Sequence, residues 1–71
     1  MEELLMIATV AKRLKCNRNK VYELIKSGAL RGLKLGSMKV STMELEDFMI
    51  RNAGKDLTDL ENIKPLEVKD L

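Results

Sequence analysis

The stretch CNRNKVYELIKSG, residues 16–28, constrains the fold more than any other because it carries a helix start, a helix stop and two chemically distinct faces. Asn17 is a strong N-cap residue, its side-chain oxygen suited to accept from the free backbone N–H of Asn19 or Lys20. Val21, Leu24 and Ile25 fall at i, i+3 and i+4, with Gly28 at i+7, and this apolar stripe of helical period must face a core. Gly28 follows the last periodic residue and closes a helix in the left-handed conformation at little steric cost. The other face carries Arg18, Asn19, Lys20, Tyr22, Glu23 and Lys26. A first turn set for stability alone favours Asp or Glu, because the helix dipole puts partial positive charge there, yet Arg18 and Lys20 occupy it. Two readings of that face stay open at this point. It is a solvated polar surface, or it is a site for an anionic partner, since helix N-terminal N–H groups with Arg and Lys hold phosphate and Asn can read an adenine edge.

The distribution of charge bears on that choice. The net +2 of the chain hides an asymmetry: residues 12–39 hold nine cations, Lys12, Arg13, Lys15, Arg18, Lys20, Lys26, Arg31, Lys34 and Lys39, against the single anion Glu23. That segment is therefore +8 and its flanks together −6. Cations clustered around a capped helix are the electrostatic footprint of nucleic-acid binding, whereas random scatter would have interleaved the signs.

At 71 residues the chain makes one small domain, with a limited core and no room for an elaborate active site. The absence of histidine removes zinc-finger spacing and His-based catalysis, and the one cysteine, Cys16, has no neighbouring base and reads as a small core residue. No catalytic residue, metal site or small-molecule cofactor is expected. No apolar run approaches the ~20 residues of a membrane span and no signal-peptide pattern opens the chain, so the expectation is a cytoplasmic protein without a membrane partner.

Taken in order, residues 1–6 hold two acids and an apolar run, after which Ile7, Val10, Ala11 and Leu14 repeat the i, i+3, i+4, i+7 pattern of a first helix about two turns long. Lys12 and Arg13 lie off its stripe. The short link through Lys15 and Cys16 makes the two helices a helix-turn-helix, in which the second enters a groove and the first braces it. Beyond Gly28 the period changes: Leu30, Gly32, Leu33, Lys34 and Leu35 read as a strand, Gly36-Ser37 as a two-residue turn, and Met38-Lys39-Val40 as the return strand, with Lys34 and Lys39 on the exposed side. Ser41 and Glu44 have capping-box spacing ahead of a third helix with Leu45, Phe48 and Met49 on one face, ended by Gly54. Residues 55–71 carry five acids and three lysines, an acidic tail in which Thr58 and Glu61 have capping-box spacing for a short helix from about Thr58 to Ile63.

With these elements laid out, residues 4–49 resemble the excisionase-type small DNA-binding domains, a winged helix-turn-helix group akin to the MerR-type domains. The resemblance rests on Val10-Ala11, Asn17-Arg18, VYELIKSG at 21–28, KLG at 34–36 and ELEDF at 44–48. It implies a recognition helix in the DNA major groove, with Arg18, Asn19, Lys20 and Tyr22 on the DNA side, and a wing on an adjacent backbone or minor groove. Met6 stands where such proteins usually have a capping Ser or Thr, Lys15 where many have Gly, and the wing lacks the arginines and aromatic usual there. Glu23 is either a solvated residue or an acceptor for a cytosine amine.

The fold expected is mainly α with a small β-hairpin, a winged helix-turn-helix over residues 1–54 followed by the tail 55–71. The function expected is sequence-specific binding of double-stranded DNA, as a recombination directionality factor of a mobile element or a small transcriptional regulator. The candidate DNA-binding residues are Lys12, Arg13, Arg18, Asn19, Lys20, Tyr22, Glu23, Lys26, Lys34 and Lys39. A recombinase or further copies of the chain are candidate partners, and a bacterial or phage-type nucleoid is the setting implied. The alternative is a protein-interaction adaptor that works through the tail.

Overall fold

The computed structural model describes residues 2–70 of the chain. Helix α1 (Ile7–Leu14) and helix α2 (Arg18–Ser27) form where the apolar periods predict them, and the link between them is a helix-ending motif built without glycine. Lys15 takes φ 56° and ψ 44°, in the left-handed region. Its N–H donates to Lys12 O at 3.2 Å and the N–H of Cys16 donates to Ala11 O at 3.0 Å, the paired bonds of a Schellman motif. Cys16 packs against the core behind them. The N-cap of α1, Met6, makes no side-chain capping bond, whereas Asn17 Oδ1 accepts from the N–H of Lys20 at 2.8 Å and starts α2. Gly28, at φ 88°, closes that helix, its N–H donating to Ile25 O at 3.1 Å.

A three-stranded antiparallel sheet follows, in the order β1-β3-β2: β1 (Leu4–Met6), β2 (Leu33–Leu35) and β3 (Ser37–Ser41). Strand β1 is the element the sequence did not announce. Leu4, Leu5 and Met6 show no alternation, and they become a strand only through β3, with Leu5 opposite Val40. The wing hairpin also differs from expectation. Leu30 and Gly32 lie outside the strand, and Leu35 pairs with Ser37, so the reversal centres on Gly36 alone at φ 77° rather than on a Gly-Ser pair. Pairing of Lys34 with Met38 and of Leu33 with Lys39 puts the two lysines on opposite faces, because side chains alternate along each strand. Leu5, Met38 and Val40 share the inner face. The outer face carries Leu4, Met6, Leu33 and Leu35, all exposed, around Lys39.

Helix α3 (Thr42–Asn52) starts on Ser41, whose Oγ accepts from the N–H of Glu44 at 3.0 Å. The second half of the expected capping box does not form. The Glu44 carboxylate turns instead to the loop before β2, taking the N–H of Arg31 at 2.9 Å, the Arg51 guanidinium at 2.8 Å and Arg31 Nε at 3.4 Å. Arg51 also pairs with Asp47 and donates to Ala29 O at 3.1 Å, so one carboxylate and one guanidinium tie α3 to residues 29–31. Glu2 serves the first residues of the helix, its Oε1 accepting from Thr42 Oγ1 at 2.7 Å and the N–H of Met43 at 3.1 Å. Leu45 and Phe48 enter the core, but Met49 remains exposed because the stripe of α3 is only wide enough to bury those two and Thr42.

The tail forms no helix between Thr58 and Ile63. Strands β4 (Lys55–Asp56) and β5 (Lys64–Pro65) pair and hold residues 57–63 as a loop, from which Leu57 and Leu60 pack on the core while Ile63 stays exposed. A short 3₁₀ turn, Val68–Asp70, follows. The fold is three helices and a small antiparallel hairpin in the winged helix-turn-helix arrangement.

Two expectations arise from these contacts. Lys15→Gly relieves a left-handed side-chain residue of about 1 kcal/mol of backbone strain, offset in part by unfolded-state entropy, so urea melts should show a gain of about 0.5 kcal/mol. The hydrogen bond from Arg51, with that from the Arg31 N–H and the charges of both arginines, holds the Glu44 carboxyl below its ordinary value. A depressed folded-state pKa gives stability that is fully present above the unfolded pKa and lost as pH falls through the folded one. Glu44→Gln should therefore lower Tm at neutral pH, and the gap from the unaltered chain should close as the pH is taken below about 4.

Candidate nucleic-acid interface

Burial of Val21 and Leu24 fixes which face of α2 looks outward. Asn19, Tyr22, Glu23 and Lys26 stand at i, i+3, i+4 and i+7 on that face and are all exposed, Tyr22 at 49 %. Arg18 flanks the stripe at the N-terminal end, one turn before Tyr22 and also exposed. This is a polar, hydrogen-bonding ridge with a single aromatic, supported from behind by α1. Its first turn keeps the free N–H groups and the positive dipole end of α2, with Asn17 satisfying only the N–H of Lys20.

Lys20 does not join the ridge. Its Nζ donates to Leu57 O at 2.9 Å and to Thr58 O at 3.4 Å, so the ammonium spans the gap between α2 and the tail loop. Arg31, one of the nine central cations, is likewise engaged, 3.4 Å from Glu44 and 4.0 Å from Asp47. Lys12 and Arg13 are exposed in the last turn of α1. Lys12 shares a shallow cleft at the start of α2 with Arg18, Asn17 and Thr9. Thr9 was not among the residues picked out by sequence. Its only signal is a hydroxyl just off the apolar stripe of α1, and the cleft it lines adjoins the first turn of α2.

The wing stands against α2 through a close contact at Gly32. A Cβ there would lie 2.8 Å from Met38 Sδ and 3.2 Å from Ile25 Cγ2, so the absence of a side chain lets the hairpin approach the helix. Lys34 is exposed near the tip, and Lys39 Nζ donates to Ser37 Oγ at 2.8 Å. The wing thus offers Lys34 and Lys39 on different faces, and leucines where a basic wing would have arginines.

Among the described residues no group of three or more His, Cys, Asp or Glu could hold a metal ion, and no helix is long and apolar enough to cross a membrane. A family model described as a helix-turn-helix domain matches residues 4–53, from β1 to the end of α3. Neither the curated proteins nor the solved structures provide a match to the chain.

Gly32→Ala should displace the Met38 thioether and crowd Ile25, and because the flexible Met38 side chain can turn aside, the cost in stability should be no more than about 1 kcal/mol. Chemical-shift changes confined to α2 and the hairpin would verify that this glycine sets their spacing.

Proposed function

The chain belongs to the helix-turn-helix domain family, and on that premise we propose that it recognises a particular double-stranded DNA sequence through α2. DNA binding by a small helix-turn-helix protein is what membership supports, and the family is typically non-enzymatic. The observation that carries the finer reading is the exposed ridge of Asn19, Tyr22, Glu23 and Lys26, with Arg18 beside it. A bidentate amide, a guanidinium, a phenol and a carboxylate on one helix face are the groups that read base edges in a major groove.

Lys12, Arg13, Lys26 and Lys34 are the cations that would reach phosphates around that ridge, and Thr9 with the first N–H groups of α2 would add a neutral phosphate contact. The outer face of the wing is apolar, so α2 carries more of the grip than the hairpin does. Glu23 accepts only, and on such a ridge it favours a cytosine amine and repels a misplaced phosphate. The biological role within this reading is recombination directionality for a mobile element or regulation of transcription, which use the same helix and differ in the site engaged. Further copies of the chain, or a recombinase, would extend the small interface of one module. The adaptor reading has a specific observation against it: Leu57 and Leu60, the apolar anchors a partner would need, already pack on the domain.

The test is selection of bound duplexes from a random pool, followed by titration of the selected site in increasing salt. With about four phosphates neutralised, log K should fall against log salt with a slope of about −4. Arg18→Ala and Asn19→Ala should each relax preference at particular base pairs by about 1–3 kcal/mol, while Lys12→Ala should weaken all duplexes alike. No enriched sequence, or a slope near zero, would refute the reading.

A further inference from the structure

We propose that the tail loop, residues 57–61, is an intramolecular strap on α2 that a DNA major groove must displace. This rests on the duplex-binding reading above. Strands β4 and β5 tie both ends of the loop, and within it Asp56 Oδ1 accepts from the N–H of Thr58 at 2.9 Å and Asp59 Oδ1 from the N–H of Glu61 at 3.0 Å. The N–H of Asn62 donates to Asp59 O at 3.0 Å. The loop therefore has a defined shape, and it is held to the domain from two directions. Leu57 and Leu60 pack on the core, and Lys20 Nζ grips the carbonyls of Leu57 and Thr58.

Its position is what gives it a role. Asp59, Leu60 and Glu61 line one wall of an open groove whose other wall is Glu23, Lys26 and Ser27 of α2. Glu23 and Lys26 are half of the outward ridge. An α-helix with its side chains is about 10–12 Å across and the B-DNA major groove about 12 Å wide, so a helix inserted side-on fills the groove. No width remains for a second chain segment beside it. The strap would also bring the carboxylates of Asp59 and Glu61 to where a phosphate backbone passes. Full insertion of α2 and docking of the strap therefore exclude one another along the Lys20–Lys26 side. On binding, the Lys20 ammonium exchanges two neutral carbonyls for a phosphate, and the loop moves off the helix.

Two consequences follow by linkage. Apparent affinity for DNA is reduced by the fraction of molecules with the strap docked, and DNA in turn loosens the strap by the same factor. The experiment is NMR spectroscopy of the full chain, free and saturated with the selected duplex. Nuclear Overhauser contacts of the Leu57 and Leu60 methyls with the core, present in the free chain, should be lost in the complex, while the amides of α2 exchange more slowly. Retention of those methyl contacts with DNA bound overturns the strap while leaving duplex recognition intact. Leu60→Ala supplies a second reading with an unusual pair of signs: it should melt lower than the unaltered chain yet bind the duplex at least about threefold more tightly. Equal or weaker binding by a folded Leu60→Ala variant also overturns the proposal. Should that variant fail to fold, the methyl contacts of the unaltered chain decide. Failure of the unaltered chain to bind any duplex would sink both this inference and the reading on which it rests.

Discussion

A single shared core, built around one fully buried side chain from each of five segments, is the constraint on which this structure depends. Val10 of α1, Val21 of α2, Leu30 of the loop after α2, Val40 of β3 and Leu45 of α3 are all within 1 % of complete burial. In a domain of this size there is no second core to take up slack, so the orientation of α2 is set by whatever sets the other four. The outward ridge is thus a by-product of inward packing. Val21 and Leu24 point in, and Asn19, Tyr22, Glu23 and Lys26 have no alternative but to point out.

Polar contacts complete what so small a core cannot do alone, and they are concentrated on α3. Glu44 gives up its own helix cap to hold the Arg31 N–H and the Arg51 guanidinium, which fixes the crossing from α2 to the wing. Glu2 secures the start of α3, and through Glu3 and Thr42 ties it to the strand that begins the sheet. The charged residues of the flanks, which sum to −6 against the basic centre, are therefore partly structural. In the free chain two of the central cations are already engaged, Arg31 in the Glu44 network and Lys20 on the tail.

The features legible in the sequence were those fixed by neighbours a turn or two away. The caps at Asn17, Gly28 and Ser41 and the apolar periods of α1 and α2 depend on local geometry and stand as the spacing predicts, as do Leu45 and Phe48 of α3, with Met49 the exception. Strand β1 depends on partners more than thirty residues distant, and nothing in Leu4, Leu5 and Met6 records that Val40 waits for them. The loop anchors Leu57 and Leu60 were misleading for a related reason. A spacing of three places two side chains on one side of a helix, but it does the same across a tight turn, and only the pairing of β4 with β5 distinguishes the two. The site divides along the same line. Arg18, Asn19, Tyr22, Glu23 and Lys26 share an exposed helix face that periodicity alone defines, whereas the diversion of Lys20 requires knowing where Leu57 ends up.

The placement of β1 also orders how the chain can assemble. The helix-turn-helix is local, its helices joined by a three-residue link, so it can form as soon as residues 7–28 are free to fold. The residues just before it cannot settle until β3 exists, and β3 is more than thirty positions further along. During synthesis the earlier strand therefore leaves the ribosome first and finds its place late, with Leu5 open to water while the polypeptide between them is made. Closure of that long loop joins the start of α1 to the start of α3 and completes the core in one step, which makes the sheet the lock on a motif whose helices have already met.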